Sequence, residues 1–126
     1  MTAHRALRSA VVVADRDGVI VHWSPGAEEL FGHRVDTAVG STLDLIVPEE
    51  YRQRHWAGFR KAMDTGEAHL DGATTCLPVR CHDGRVRAFP GRFTLLRDPY
   101  GTFVGAAATY TERTGDERPF APIPSR

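Results

Sequence analysis

Short apolar runs alternate with turn-forming residues along the chain, and this pattern predicts strands in two regions. Residues 9–14 (SAVVVA) and 19–23 (VIVHW) are β-branched and apolar, which is typical of strands. The segment between them, 15–18 (DRDG), predicts a turn because its glycine can take a positive φ. Three further strands are predicted over 72–80, 86–97 and 102–111. The pattern therefore indicates a hairpin followed, later in the chain, by a three-stranded meander.

Helical signals lie between these two strand regions. Ser24 followed by Pro25 is typical of a helix start, and Gly32 of a helix end. A longer helix is predicted over 49–63, which opens with acidic residues and carries one apolar stripe. The stripe consists of Tyr51, His55, Phe59 and Ala62 or Met63. The segment 33–45 suits only short helical turns, because Gly40 interrupts it.

Together these elements predict an α+β fold. We expect a five-stranded antiparallel sheet with short helices and one longer helix packed on one face, because the strands have short connections and alternating faces. The chain of 126 residues is long enough for one hydrophobic core. We expect the domain to span 9–113, after a lead-in of residues 1–8 and before a flexible tail, 114–126, rich in proline and charge.

Composition excludes several classes of function. Sixteen basic residues balance sixteen acidic ones, so charge favours neither a nucleic-acid nor a membrane partner. The longest apolar run near the start, 10–14, is too short for a signal peptide or a membrane span, which predicts a cytoplasmic protein. Two cysteines cannot complete a four-ligand zinc site. We find no acid–base or nucleophile constellation, and therefore predict that the chain is not an enzyme.

Four motifs, in order along the chain, resemble those of the PAS family. They are VIVHWSPGAEELFGH at 19–33, Gly40, CHDG at 81–84 and TYTER at 109–113. The third stands at a turn that the family writes Lys-Asp-Gly, and the fourth matches a closing Asp-Ile-Thr-Glu-Arg, with Thr109 in place of the Asp. The resemblance covers roughly 10–113. It implies the PAS fold and a sensory role in signal transduction, passed to a downstream partner that these motifs do not identify.

A narrower resemblance concerns the longer helix. The segment PEEYRQRHWA at 48–57 is similar to the helix of FixL-type PAS domains, which bind haem and sense oxygen. That resemblance implies a b-type haem with His55 as the iron ligand. The other positions it implies are Lys61 and His69 at the haem propionates, and Leu70, Gly91 and Phe93 at the apolar distal wall. Thr75 stands where that family has an arginine that stabilises bound oxygen. The implied signal is therefore a diatomic gas or a redox state.

The residues themselves leave alternatives open. His55 also fits an ordinary core or surface histidine, and the competing function is a PAS interaction module whose core is filled by side chains or a small organic ligand. We expect a homodimer through the outer face of the sheet. A flavin site is disfavoured. Flavin-binding PAS domains carry a Gly-x-Asn-Cys-Arg run on a helix, whereas this chain has no such run and its cysteines, Cys76 and Cys81, lie on or beside a predicted strand.

Two further expectations concern the remaining aromatic and imidazole side chains. Three histidines are expected as partly exposed polar residues, namely His4, His22 and His33. Trp56 lies about 100° round the predicted helix from His55, and we expect it to pack against a loop or a partner chain.

Overall fold

The computed structural model describes residues 7–67 and 75–113, which contain one five-stranded antiparallel sheet. The strands are β1 (Ser9–Asp15), β2 (Ile20–Trp23), β3 (Thr75–Arg80), β4 (Val86–Arg97) and β5 (Phe103–Thr111). The helices are α1 (Pro25–Phe31), α2 (Val35–Ala38) and α3 (Arg52–Thr65), with 3-10 turns at Leu43–Leu45 and Glu49–Tyr51. The strand order is β2-β1-β5-β4-β3, so the first hairpin joins the meander through β1 and β5. The predicted α+β class and sheet are confirmed.

The element boundaries differ from the prediction in a few places. The helix predicted over 49–63 is divided into a 3-10 turn and then α3, which begins at Arg52 and ends at Thr65. Proline removes a backbone donor, so its place within a strand predicts a bulge or a gap in pairing at Pro90. No bulge occurs there: Pro90 pairs with Cys76 without a register shift, although the pairing of β4 with β5 begins only at the next residue. Residues 72–74 of the predicted third strand lie outside the described residues.

Helix α1 is joined to β1 by its own cap. The Ser24 hydroxyl accepts a hydrogen bond from the amide of Ala27, at 3.2 Å, and another from the amide of Val11 in β1, at 2.8 Å. One side chain therefore starts the helix and fixes it to the sheet. Gly32 ends the helix with a φ of 86°, a conformation that glycine adopts without strain. Both ends of α1 lie where the sequence predicted.

The side of the core beneath α1 is closed by aromatic rings. Phe31 is 1% exposed, and its ring centre lies 5.0 Å from those of both Phe89 and Tyr110. Trp23 of β2 packs against the same ring at 5.8 Å. We call this group of four rings the aromatic core. It occupies the inner face of the sheet, meaning the face on which the helices lie.

The side chains of β4 alternate between the two faces of the sheet. Phe89 and Gly91 are buried on the inner face, whereas Arg92 and Thr94 on the outer face are exposed. Helix α3 packs on β5, and its end at Gly66 lies against the ring of Phe103, so that a Cβ at Gly66 would overlap this ring. Helix α1, which contacts β1, and helix α3, which contacts β5, thus cover different parts of one sheet.

Candidate functional site

His55 is the most distinctive polar residue of α3. Its ring lies between two aromatic rings, with centres 4.8 Å from Trp56 and 5.9 Å from Phe59. Nδ1 is buried and has no hydrogen-bond partner among the residues that the structure describes. Buried polar atoms in folded proteins are nearly always bonded, and an unbonded one calls for an explanation.

Burial also fixes the charge of this imidazole. Desolvation lowers the pKa of His55 from its ordinary value of 6.5 to about 4, and the nearby Asp44 carboxylate opposes only part of that effect. His55 is therefore neutral at pH 7. The neutral imidazole has a free lone pair, which is the form that binds iron or accepts a hydrogen bond.

The inner face of the sheet changes character away from the aromatic core. Phe93 pairs with Ala108 and Leu95 pairs with Ala106, and all four residues are only partly buried among the described residues. The side chains of the two alanines extend little from the sheet. We call this part of the inner face the open half, in contrast to the sealed half formed by the aromatic core.

The predicted distal-wall positions on β4 lie beside the start of β3. Gly91 is buried, and a Cβ at this position would lie 2.8 Å from Leu77 and 2.9 Å from Tyr110, so a larger residue would have to displace one of these side chains. Phe93 follows two residues later on the same face. Thr75 is the first residue of β3 and pairs with Gly91 through the sheet.

The propionate positions are placed only in part. Lys61 is exposed on α3, with Nζ 3.6 Å from the Glu67 carboxylate. His69 and Leu70 lie outside the described residues. The roles of all seven predicted positions stay predictions.

Helix α3 is held by residues that the sequence did not reveal. The Trp56 indole N–H donates to the Asp44 carboxylate at 2.7 Å, and Arg16 Nη1 donates to the Met63 carbonyl at 3.2 Å. No local pattern marks Asp44 or Arg16, because their partners are 12 and 47 positions away. The Trp56 ring lies against Gly18 in the β1–β2 turn, which confirms that it packs on a loop.

One prediction about a histidine is wrong. His33 is 8% exposed, not partly exposed, and its Nε2 lies 3.1 Å from the Arg80 carbonyl. It was misjudged because the residues that bury it are distant in sequence. His22 is exposed as expected, whereas His4 lies outside the described residues.

Other kinds of site find less support. Within residues 7–67 and 75–113, no group of three or more His, Cys, Asp or Glu side chains could hold a metal ion. A haem would need only one such side chain, because its porphyrin supplies four nitrogen ligands. Cys76 lies on β3 and Cys81 just after it, as expected, and both are buried. None of the described helices is long and apolar enough to cross a membrane.

Comparison with known proteins agrees with this architecture. A family profile described as the PAS fold matches residues 5–118. The sensor protein FixL of Bradyrhizobium diazoefficiens is 31% identical over 108 residues, which cover 82% of this chain and 21% of that protein. The oxygen sensor protein DosP of Escherichia coli is 27% identical over 78 residues, covering 62% of this chain and 10% of that protein.

A solved structure gives the same result for the fold. The PAS domain of a protein from Colwellia psychrerythraea superposes with a TM-score of 0.69 at 20% identity, covering 84% of this chain and 86% of that one. At this identity the likeness concerns the fold alone. The chain spans between 10% and 21% of the length of the curated relatives it matches.

Proposed function

This chain belongs to the PAS family, and on that premise we propose that it senses its signal through a b-type haem held by His55. PAS domains are sensory domains of signalling proteins and generally have no catalytic activity. The observation that carries the proposal is the buried, neutral imidazole of His55, whose Nδ1 is unpartnered among the described residues. Such an atom costs stability, which is understandable if the imidazole serves a ligand.

The residues that the resemblance implies have the chemistry that this group requires. His55 would hold the iron, and the ring of Phe93 would contribute to an apolar wall. Ala106 and Ala108, on the open half, carry only small side chains. The exposed ammonium of Lys61 would neutralise a propionate at the rim. The chemistry that haem supplies when bound is reversible binding of a diatomic gas, or a change of oxidation state.

The residue at position 75 bears on which gas is sensed. A threonine can offer bound oxygen at most a neutral hydrogen bond, which is about half as strong as one from an arginine. The similar DosP is named an oxygen sensor, and FixL a sensor. We therefore propose a diatomic gas or a redox state as the signal, with weaker preference for oxygen than an arginine would give.

A displacement of His55 has a direct route to the sheet. His55 is part of α3, and α3 contacts β5 where Gly66 lies against Phe103. A small shift of the helix would therefore displace β5, the central strand of the sheet, which pairs with β1 and β4. Sensory domains work by shifting between two such packings.

The proposal is tested by reconstituting the purified chain with haem and recording its visible spectrum. We expect a Soret band that is lost or shifted in His55→Ala and unchanged in His22→Ala, an exposed histidine on β2. Absence of a Soret band in the wild-type chain would contradict haem binding. A band that is identical in His55→Ala would contradict only the assignment of His55.

A second candidate function rests on the outer face of the sheet. Val11 and Val13 of β1 and Ala107 of β5 form an apolar strip there that is only half-buried, and Val21 beside it is 51% exposed. We propose that this strip joins two copies in a homodimer, either with haem or as a plain interaction module with a filled core. We also propose that the protein acts in the cytoplasm, without nucleic acid or membrane as partner.

The dimer is tested by light scattering on the purified chain. Ala107→Glu places a charge at the centre of the strip and should give a monomer. Val35→Glu, on the exposed side of α2 and 45% exposed, is the matched control and should leave the mass unchanged. A wild-type monomer would rule out this function, as would a dimer that survives Ala107→Glu.

A further inference from the structure

Trp56 is held by contacts with two segments that are also bonded to each other. Its indole N–H donates to the Asp44 carboxylate at 2.7 Å, and its six-membered ring lies against Gly18. Gly18 in turn accepts a hydrogen bond at its carbonyl from the amide of Leu43, at 3.0 Å, next to Asp44. The β1–β2 turn (residues 16–19), the first 3-10 turn and α3 therefore meet at one side chain.

The β1–β2 turn is itself rigid. One oxygen of the Asp15 carboxylate accepts from the amides of both Asp17 and Val19, at 2.9 and 3.0 Å. Gly18 donates back to the Asp15 carbonyl at 3.0 Å and has a φ of 79°, which favours glycine. A rigid turn can serve as a fixed support for a helix.

The same turn contacts α3 at a second point. Arg16 Nη1 donates to the carbonyl of Met63, at 3.2 Å, and to that of Phe103 in β5, at 2.6 Å, while Nη2 lies 3.4 Å from Asp64. Carbonyls in the last turn of a helix lack partners within it and attract cations. Trp56 and Met63 are seven positions apart, so they lie on one face of α3, about 10 Å along its axis.

Among the described residues, no hydrogen bond at Nδ1 orients the ring of His55. A hydrogen bond to a ring nitrogen is the usual way in which a ligand histidine is held in one orientation. Here Nδ1 has no partner among the described residues, and the Trp56 ring lies 4.8 Å away at an interplanar angle of 74°. The aromatic edge contact takes the place of the usual hydrogen bond.

We propose that the β1–β2 turn fixes the orientation of His55 by holding Trp56 in place. Trp56 is therefore a positioning residue, because it acts on a ligand through His55. That the ligand is haem rests on the proposed function, whereas the hold on the imidazole belongs to the chain itself.

The test compares two glycine-to-alanine variants of the full chain, both free of ligand. Gly18→Ala and Gly84→Ala both place alanine at a left-handed φ, 79° and 83°, but only the new methyl at Gly18 would overlap Trp56; nothing lies within 4 Å of a Cβ at Gly84. We expect the His55 ring signal, in an NMR spectrum of histidine-labelled protein at pH 7, to shift or split in Gly18→Ala and to stay single and unshifted in Gly84→Ala. His55→Ala assigns the signal by its absence.

A second pair of variants keeps the test decisive if Gly18→Ala fails to fold. Trp56→Phe keeps a ring but removes the N–H that Asp44 accepts, and Trp23→Phe makes the same change in the aromatic core. We expect the His55 signal to broaden or split in the first, because the imidazole is no longer held in one orientation, and to stay single in the second. A single sharp signal in Trp56→Phe, even one shifted by the new aromatic ring, or equal splitting in a control and its partner, would overturn the proposal.

The reconstituted protein separates this inference from the proposed function. If the wild-type chain takes up haem, the Soret band of Trp56→Phe should be shifted or broadened relative to Trp23→Phe, and equal bands would count against a positioning role. If no Soret band forms, haem binding fails, and the ligand-free NMR comparison still decides whether Trp56 holds His55.

Discussion

The described residues contain two tryptophan–histidine pairs, which differ in whether the imidazole ring is hydrogen-bonded. In the first, the Trp23 indole donates to the carbonyl of His33 at 2.8 Å, and His33 Nε2 lies 3.1 Å from the Arg80 carbonyl. In the second, the Trp56 indole donates to a carboxylate, while His55 keeps a buried Nδ1 without a partner among the described residues. The same residue types thus build one satisfied structural contact and one site with unused bonding capacity.

The surroundings of the two pairs explain this difference. Trp23 and His33 belong to the sealed half, where Phe31 and Phe89 leave little space. His55 is on α3, which packs on β5, and the inner-face residues Ala106 and Ala108 of that strand are only partly buried. Proteins retain unfavourable groups where function needs them and gain stability elsewhere. The comparison therefore places the satisfied histidine in the sealed half and the unsatisfied one on α3, where the proposed function would use it.

The largest expected effect tests the sealed half. Phe31→Ala removes the central ring of the aromatic core and should lower the free energy of unfolding by about 3–5 kcal/mol, as large cavities do. Urea denaturation measures this loss. Phe59→Ala, on the partly buried stripe of α3, should cost clearly less, and Tyr100→Ala, at a residue 93% exposed, almost nothing. Equal losses for Phe31→Ala and Phe59→Ala would break the comparison.

The next effect concerns pH. The pKa of His55 is about 4 in the folded protein and 6.5 when unfolded, so as pH falls the unfolded chain takes up the proton first. The contribution of His55 should destabilise the fold progressively between pH 6.5 and 4, by about 3 kcal/mol at most, and no further below pH 4. Urea titrations across this range measure the slope. The slope should be reduced in His55→Leu and kept in His22→Leu; a full slope in His55→Leu would contradict the assignment.

The smallest effect compares His33 and His55 directly at pH 7. His33→Leu leaves the Arg80 carbonyl without its partner and should cost about 1–3 kcal/mol. His55→Leu removes a buried atom that has no partner and should leave the chain as stable or more so. Urea midpoints of the two variants decide the matter. If His55→Leu costs as much as His33→Leu, then His55 is a structural residue like its counterpart.

Much of the fold could be predicted because its signals are local. Ser24 caps α1 and Gly32 ends it as their residue types indicate, and β4 lies at the predicted 86–97 because its side chains alternate. His55 also lies on the stripe that helical spacing predicted. Its missing hydrogen bond could not be predicted, because spacing reports the direction of a side chain and not what it meets.

The sequence by itself therefore determined the elements, their faces and the class of fold, since turns, caps and periodicity act over a few residues. The tertiary structure alone decided which histidine is satisfied and which is not. The Arg80 carbonyl bonds His33 across 47 positions, and Gly18 contacts Trp56 across β2, α1, α2 and two 3-10 turns. Such contacts form only when the chain is folded. They satisfy His33 within the core and leave the Nδ1 of His55 without a partner among the described residues.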